Sequence, residues 1–239
     1  MTAKRTGGFR HPMNQVECIV GWMYVFVHVF AMPFILSALN AHVFPALGFQ
    51  LGSTWLNLLY YAVGFFFLLG FLFHFLKESF ADMCGSFMDT VVAVLVGFVA
   101  YIFLSGLVNF LLSFFLSDLT NPNTAAVNQI TKLNPNRMVV IGVLLAPVVE
   151  ETLFRGVVFG TLHRKNVLLA YLVSTLFFSF YHLWQDIVLN FSPSMLLYLL
   201  QYAPAGIVLG WVYSHSRTVW APVFLHMIIN YVSISVTIG

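Results

Sequence analysis

Long apolar runs alternate with short polar breaks along the chain. Each run is close to the roughly 20 residues that an α-helix needs to cross a bilayer. The seven runs lie at 16–40, 56–76, 88–116, 138–162, 167–184, 195–213 and 218–237. Dividing the third run near Gly106 would give an eighth span, and the fifth run can extend to Asn190. The pattern predicts an all-α, polytopic integral membrane bundle with seven to eight transmembrane helices.

Composition narrows the class of protein. Hydrophobic residues make up 60% of the chain and charged residues only 8%, against about half and a quarter in soluble domains. A water-soluble globule is therefore excluded, and membrane lipid is the expected surroundings. Ten Lys and Arg against eight Asp and Glu leave too small a cationic surface for nucleic acid, which is not expected as a partner. Cys18 and Cys84 match no metal or redox spacing.

The basic residues predict how the chain is oriented. Cations in short loops are retained on the cytoplasmic side. Seven of the ten lie in alternate breaks that would share one side: Lys4, Arg5, Arg10, Lys77, Arg164, Lys165 and Arg217. The N-terminus is therefore expected in the cytoplasm, and with seven spans the C-terminus lies outside. No small-residue cleavage pattern follows the first run, so we interpret it as an anchor helix and not as a removed signal peptide.

The fourth run contains the chain's densest group of charges inside a span. An ionisable group in a membrane helix costs a few kcal/mol or more unless it is paired or hydrated. Glu151 and Arg155 are four residues apart, so they can neutralise each other on one helix face. Glu150 points about 100° away from Glu151 and has no such partner. Pro147, just upstream, is expected to kink the helix.

Two further helices carry polar residues in apolar surroundings. His182 lies in the fifth run, and His226 and Asn230 lie four residues apart in the last. Taken singly, each is a common structural residue. Taken with the fourth run, they predict one hydrated cavity, since burial in lipid would leave each group unsatisfied. Such a cavity contains the groups that hydrolysis needs. Because no Ser or Cys is placed as a nucleophile, water is the expected nucleophile. Residue counts put Glu150 and His226 at similar depth and His182 nearer the outer face, and the sequence alone does not settle the depth of His182.

Three motifs resemble those of a known family. EETLFRG, FSFYH and HMIIN follow in order the EExxxR, FxxxH and HxxxN motifs of the CPBP family, also called Abi or CAAX-protease-like, which includes the type II CAAX prenyl endopeptidase. The gaps also fit, with 27 residues from Arg155 to His182 and 44 from His182 to His226. The resemblance divides the chain into variable N-terminal helices with a polar loop, 1–137, and a catalytic core, 138–237.

The resemblance implies an intramembrane endopeptidase that hydrolyses peptide bonds of membrane-associated peptides or proteins. It assigns the general base to Glu150 and an assisting role to His182. Glu151 and Arg155 resemble the pair that braces the site, and His226 and Asn230 resemble the oxyanion-stabilising group. All six positions keep the residue types of the motifs, so the resemblance gives no sign of inactivity.

Two questions stay open at the level of sequence. Family members are often described as metalloproteases, and Glu150, His182 and His226 could form a two-His, one-carboxylate zinc site. Because HExxH is absent, we favour a metal-free mechanism and keep zinc as the alternative. The competing functions are a non-catalytic membrane scaffold or bacteriocin self-immunity protein and, less favoured, an ion-coupled transporter. A bacterial plasma membrane is the expected location, and the sequence specifies no oligomeric state.

Overall fold

The computed structural model describes residues 9 and 11–239, which form nine helices and no strand. The predicted all-α bundle is confirmed. Lys4, Arg5 and Arg10, which contributed to the predicted orientation, lie outside the described residues. The helices are α1 Gln15–Ala46, α2 Ser53–Phe71, α3 Phe73–Gly85, α4 Phe87–Leu112, α5 Pro122–Leu133, α6 at 135–163, α7 Val167–Leu189, α8 Ser194–Ser216 and α9 Trp220–Ile238.

Six of the described helices, namely α1, α2, α4, α7, α8 and α9, are long and apolar enough to cross a membrane. The predicted span 138–162 corresponds to α6, which has a similar length but carries Glu150, Glu151 and Arg155. Every residue from 146 to 160 is buried. The charges of α6 therefore meet protein and not lipid, which explains why this helix can be less apolar than its neighbours.

Two of the predicted boundaries differ in the structure. The run 56–76 is not one helix: α2 ends at Phe71, and the backbone of Leu72 (φ −120°, ψ 19°) separates it from α3. Helix α4 is continuous through Gly106, so the structure does not divide that run. The polar connection after α4 contains the short helix α5, whose first turn is capped by the Asn121 side chain accepting the Thr124 N–H.

Helix α6 departs from α-helical geometry on both sides of its two glutamates. Ala146–Glu151 is α-helical, whereas Val139–Leu145 and Thr152–Phe159 form wider π-helical turns. In the first of these turns the Ala146 N–H bonds the carbonyl of Ile141, five residues earlier. The next carbonyl, that of Gly142, would need the N–H of residue 147, which is proline and has none. The irregularity expected at Pro147 is therefore a π turn that leaves one carbonyl for another donor.

Apolar side chains pack around α6 on two sides. Val149, Leu153 and Val157 join a buried cluster with residues of α1, α2 and α3. Phe154 joins a second cluster with residues of α4, α7, α8 and α9. The outward faces of the surrounding helices stay apolar, for example at Phe103 of α4, which is 69% exposed. In water such faces would be a liability, but in a bilayer they contact acyl chains.

The segment before α1 is held against α6. The His11 ring lies on Gly156 and Gly160, and its Nε2 is 2.7 Å from the carbonyl oxygen of Gly156, to which the neutral ring donates. Arg164 donates to the carbonyls of His11 and Met13 at 2.7 and 3.2 Å. Burial lowers the pKa of His11 to about 4, so the ring is neutral at pH 7. This end of α6 is thereby fixed to the N-terminal segment.

Gly160→Ala is expected to destabilise the protein, because a Cβ at this position would overlap the His11 ring. Overpacking of this kind costs about 1–3 kcal/mol. Thermal unfolding in detergent micelles measures the loss. Gly106→Ala is the control, since its Cβ would meet no atom within 4 Å and removing a helical glycine stabilises by roughly 0.5–1 kcal/mol. Adding His11→Ala should recover part of the Gly160→Ala loss. Equal effects of the two glycine variants would contradict this packing.

Candidate active site

A fully buried carboxylate joins two of the three motif helices. Oε1 of Glu151 accepts a hydrogen bond from Arg155 Nη1 at 3.0 Å and lies 2.8 Å from His226 Nδ1. The side chains of Glu151 and Arg155 are 0% exposed. The structure therefore contains the predicted pair within α6 and adds a bond to α9 that the motif spacing did not indicate. Because Glu151 has a cationic partner, its charge is compensated inside the bundle.

Arg155 extends this network to two more helices. Its Nη2 lies 3.4 Å from the carbonyl oxygens of Ala205 and Gly206 in α8. Its guanidinium lies over the Phe178 ring of α7, 4.3 Å from the centroid, a cation–π arrangement. Through Glu151 and Arg155, α6 thus contacts α7, α8 and α9 with polar or charged groups.

Glu150 faces a different part of the site. Its Oε1 accepts a hydrogen bond from the Tyr61 hydroxyl at 2.7 Å. Its Oε2 has no hydrogen-bond partner among the described residues and lies 3.9 Å from His182 Nε2, too far for a direct hydrogen bond. The side chain of Glu150 is 4% exposed and that of His182 16%. A carboxylate oxygen and an imidazole nitrogen therefore face each other across a short gap, and the side chain that carries the nitrogen is partly exposed.

Residue counts alone left the depth of His182 relative to Glu150 undecided, and the structure places the two side chains 3.9 Å apart. Helix α7 starts at Val167, so His182 comes 15 residues after that start (182 − 167), and Glu150 comes 13 residues before the end of α6 (163 − 150). The two positions are therefore at similar distances from the connection between these helices. The π turns of α6 also change the position of Glu150, because they do not follow the α-helical rise that the residue counts assumed.

The orientation of the His182 ring is set by two contacts. Its Nδ1 lies 2.8 Å from the carbonyl oxygen of Phe178. Since a carbonyl can only accept, Nδ1 carries the proton, and in the neutral ring Nε2 is an acceptor directed at Glu150. The ring also stacks on Tyr202, with centroids 4.4 Å apart. The Tyr202 hydroxyl in turn bonds the side chains of Asn121 and Asn123, so the polar connection before α6 supports this histidine.

Among the described residues, the Asn230 side chain has no hydrogen bond to the side chains of the other five predicted site residues. Its Nδ2 donates to the carbonyl of Gly142 at 2.8 Å, the carbonyl that Pro147 leaves without a backbone donor. Asn230 therefore fastens α9 to the π turn of α6, one helical turn away from His226. The amide has a second N–H that this contact does not use.

Sequence reasoning missed the tyrosine that contacts the site, Tyr61. Tyr61 contacts Glu150, and the Tyr181 hydroxyl lies 3.2 Å from those of both Tyr60 and Tyr61. The available signal was weak: an adjacent Tyr pair in the run 56–76, and a Tyr directly before the motif histidine. Aromatic residues make up 17% of the chain, so polar-tipped rings do not stand out among them.

Two of the residues proposed above for a zinc site each have one atom bound to another side chain. Glu150 Oε1 is bound by Tyr61, and His226 Nδ1 faces Glu151. Within the described part of the chain, no group of three His, Cys, Asp or Glu side chains is arranged to hold a metal ion. Glu150, His182 and His226 each keep one atom that could bind a metal, namely Oε2 of the glutamate and Nε2 of each histidine, because the contacts given above use the other oxygen or the other ring nitrogen.

Comparisons with known proteins agree with the motifs. Residues 132–232 match the model of the Rce1-like family, described as type II CAAX prenyl endopeptidase Rce1-like. A Bacillus subtilis (strain 168) protein named "Putative membrane peptidase YdiL" is 28% identical over 109 residues, which is 45% of this chain and 40% of that protein. The match thus spans about two fifths of the relative's length. No solved structure matches. The resemblance to the CAAX-protease-like family is confirmed over this part of the chain.

Arg155→Met is expected to damage folding, because it leaves the Glu151 carboxylate buried without its cation. Breaking a buried pair in this way costs about 3–5 kcal/mol. Thermal unfolding and the yield of monodisperse protein in detergent measure the effect. The double variant Glu151→Gln/Arg155→Met removes both charges and should recover much of the loss. A single variant as stable as the wild type would show that the pair does not stabilise the bundle.

Proposed function

We propose that this chain is an intramembrane endopeptidase that hydrolyses peptide bonds of membrane-associated peptides or proteins. The observation that carries the proposal is the pairing of Glu150 Oε2 with His182 Nε2 at 3.9 Å. Both atoms are hydrogen-bond acceptors, because the proton of His182 is on Nδ1 and Glu150 is a carboxylate. Neither atom can therefore donate a hydrogen bond to the other. A water molecule that bridges the two atoms from one side would donate one hydrogen to each and keep a lone pair for attack.

The hydrolysis follows from these two groups. As the water oxygen forms a bond to the scissile carbonyl carbon, its O–H bond breaks and Glu150 takes the proton. The carbonyl oxygen then carries the negative charge of a tetrahedral intermediate. When this intermediate collapses, the C–N bond breaks and the proton held by Glu150 passes to the leaving amine. His182 orients the water through its Nε2, because its Nδ1 is held by the Phe178 carbonyl.

Donors for the developing oxyanion come from α9. With Glu151 at Nδ1, the protonated form of His226 presents its Nε2–H on the opposite side of the ring. The second amide N–H of Asn230 provides another donor from the same helix. Such donors contribute most when they are held in place before the reaction, and removing one typically costs about 10²–10³ in rate. The Glu151 and Gly142 contacts hold these two side chains.

A non-catalytic scaffold or immunity protein is the competing function. The Glu151, Arg155 and His226 network would suit it, since these groups bond one another and join helices, although Glu151 Oε2 and Arg155 Nε also have no partner among the described residues. The scaffold gives no reason for a nearly buried Glu150 oxygen without a protein partner that faces a partly accessible histidine. Ion-coupled transport would favour broken helices in corresponding positions of two related halves, and the sequence shows no such internal repeat.

We also propose that the N-terminus lies in the cytoplasm of a bacterial cell. Arg164 bonds the segment 11–13. The loop that carries Arg217 is joined to α3 and its Lys77 through the bond from Thr218 to the Ser79 carbonyl, at 2.7 Å. Glu17 of α1 in turn accepts the Phe75 N–H at 2.8 Å. These basic residues therefore share one end of the bundle with the start of α1, which supports the positive-inside orientation.

Glu150→Gln tests the proposed function. Gln keeps the size of the side chain and can still accept from Tyr61, but it cannot take a proton. Cleavage of a library of fluorescence-quenched, acyl-anchored peptides in liposomes should fall by at least about a hundredfold, with unfolding temperature unchanged. Glu78→Gln in α3, outside the site, is the matched control and should cleave normally. Absence of cleavage by the wild type, or cleavage that survives in Glu150→Gln, would contradict the proposal.

Chelation tests the metal-free mechanism. Protein dialysed against EDTA and 1,10-phenanthroline should keep its rate of peptide cleavage within about twofold, since general acid–base catalysis by Glu150 and His182 needs no ion. Metal analysis of the same samples provides the control for removal. Activity that disappears with the chelators and returns on adding zinc would contradict the metal-free mechanism and support a zinc-dependent one.

A further inference from the structure

We propose that Tyr61 of α2 is a positioning residue that holds Glu150 for proton transfer. This inference rests on the proposed function of the site. Tyr61 lies outside residues 132–232, the part that matches the family model, and outside the three motifs. The active site is therefore completed by a helix from the variable N-terminal part of the chain.

The contact is short and specific. The Tyr61 hydroxyl donates to Glu150 Oε1 at 2.7 Å, within the range of charge-assisted O–H···O⁻ hydrogen bonds. It is the one hydrogen bond to this carboxylate from the described residues, because Oε2 has none. The bond therefore fixes the rotation of the carboxyl group and, with it, the direction in which Oε2 faces His182.

The direction of the hydroxyl protons follows from counting. The Tyr61 proton goes to Glu150, and the Tyr60 proton goes to the carbonyl of His28 at 2.9 Å. Tyr181 lies 3.2 Å from both hydroxyl oxygens and has a single proton for one of them. When Tyr181 donates this proton to the Tyr61 oxygen, that hydrogen bond polarises the Tyr61 hydroxyl. The hydrogen bond from Tyr61 to Glu150 then becomes stronger.

Tyr60 provides a matched control for this role. It is adjacent to Tyr61 on the same helix and carries the same side chain. Its hydroxyl bonds the His28 backbone and Tyr181 and makes no hydrogen bond to Glu150. Without the Tyr60 hydroxyl, Tyr181 donates its proton to Tyr61. The hydrogen bond from Tyr61 to Glu150 is therefore retained. Tyr60→Phe and Tyr61→Phe thus each delete one oxygen, and only the second loses the contact with the carboxylate.

Kinetics on the best-cleaved peptide of the acyl-anchored library form the first test. Tyr61→Phe should lower kcat about 10–100-fold with KM within about threefold, because substrate binding is kept and the base is misaligned. Tyr60→Phe should stay within about threefold of the wild type in both constants. Equal kcat values for the two variants, or a Tyr61→Phe effect confined to KM, would overturn the inference.

Infrared spectroscopy supplies a test that needs no activity. In protein with ¹³C-labelled glutamate, the difference between wild type and Glu150→Gln isolates the band of the Glu150 carboxyl group. Tyr61→Phe should shift this band and Tyr60→Phe should leave it in place, with both variants folded by thermal unfolding. An unshifted band in Tyr61→Phe would refute the contact. A shifted band in a protein that cleaves no peptide would keep the contact and reject the proposed function instead.

Discussion

The bond network of Glu151 is the constraint on which the rest of the site depends. A carboxylate that is 0% exposed is tolerated only with a compensating charge and good hydrogen bonds. Arg155 supplies the charge from the same helix, and His226 reaches it from α9. Because these partners are on different helices, satisfying one buried charge fixes how the motif helices pack. Glu150 is the next residue along α6, so its direction follows from that packing.

The irregular geometry of α6 adds a second attachment between the helices that carry the site. Its two π turns bracket the segment Ala146–Glu151. Pro147 leaves the carbonyl of Gly142 free, and Asn230 binds it, so α9 is attached to α6 at two levels one turn apart. π turns inside α-helices are frequent at functional sites. Here the upstream turn supplies an acceptor that a regular helix would have used internally.

Much of the fold could be predicted from the sequence, because apolar runs of bilayer length leave few alternatives to a helical bundle. The motif spacing also indicated which helices carry the site. The pairing within the site could not be predicted. Helix periodicity relates Glu151 to Arg155, but the bond from His226 depends on how α9 packs on α6. Likewise, nothing in an aromatic-rich run distinguishes Tyr61, which binds Glu150, from Tyr60, which does not.

A high-resolution cryo-EM map of the protein in a lipid nanodisc tests the central claim most directly, because it locates the solvent next to Glu150. The account predicts the Glu151 carboxylate bonded to both Arg155 and His226. It also predicts one ordered solvent molecule within hydrogen-bond distance of Glu150 Oε2 and His182 Nε2. A His182 ring turned towards lipid, or a Glu150 carboxyl group sealed off from solvent by apolar side chains, would contradict it.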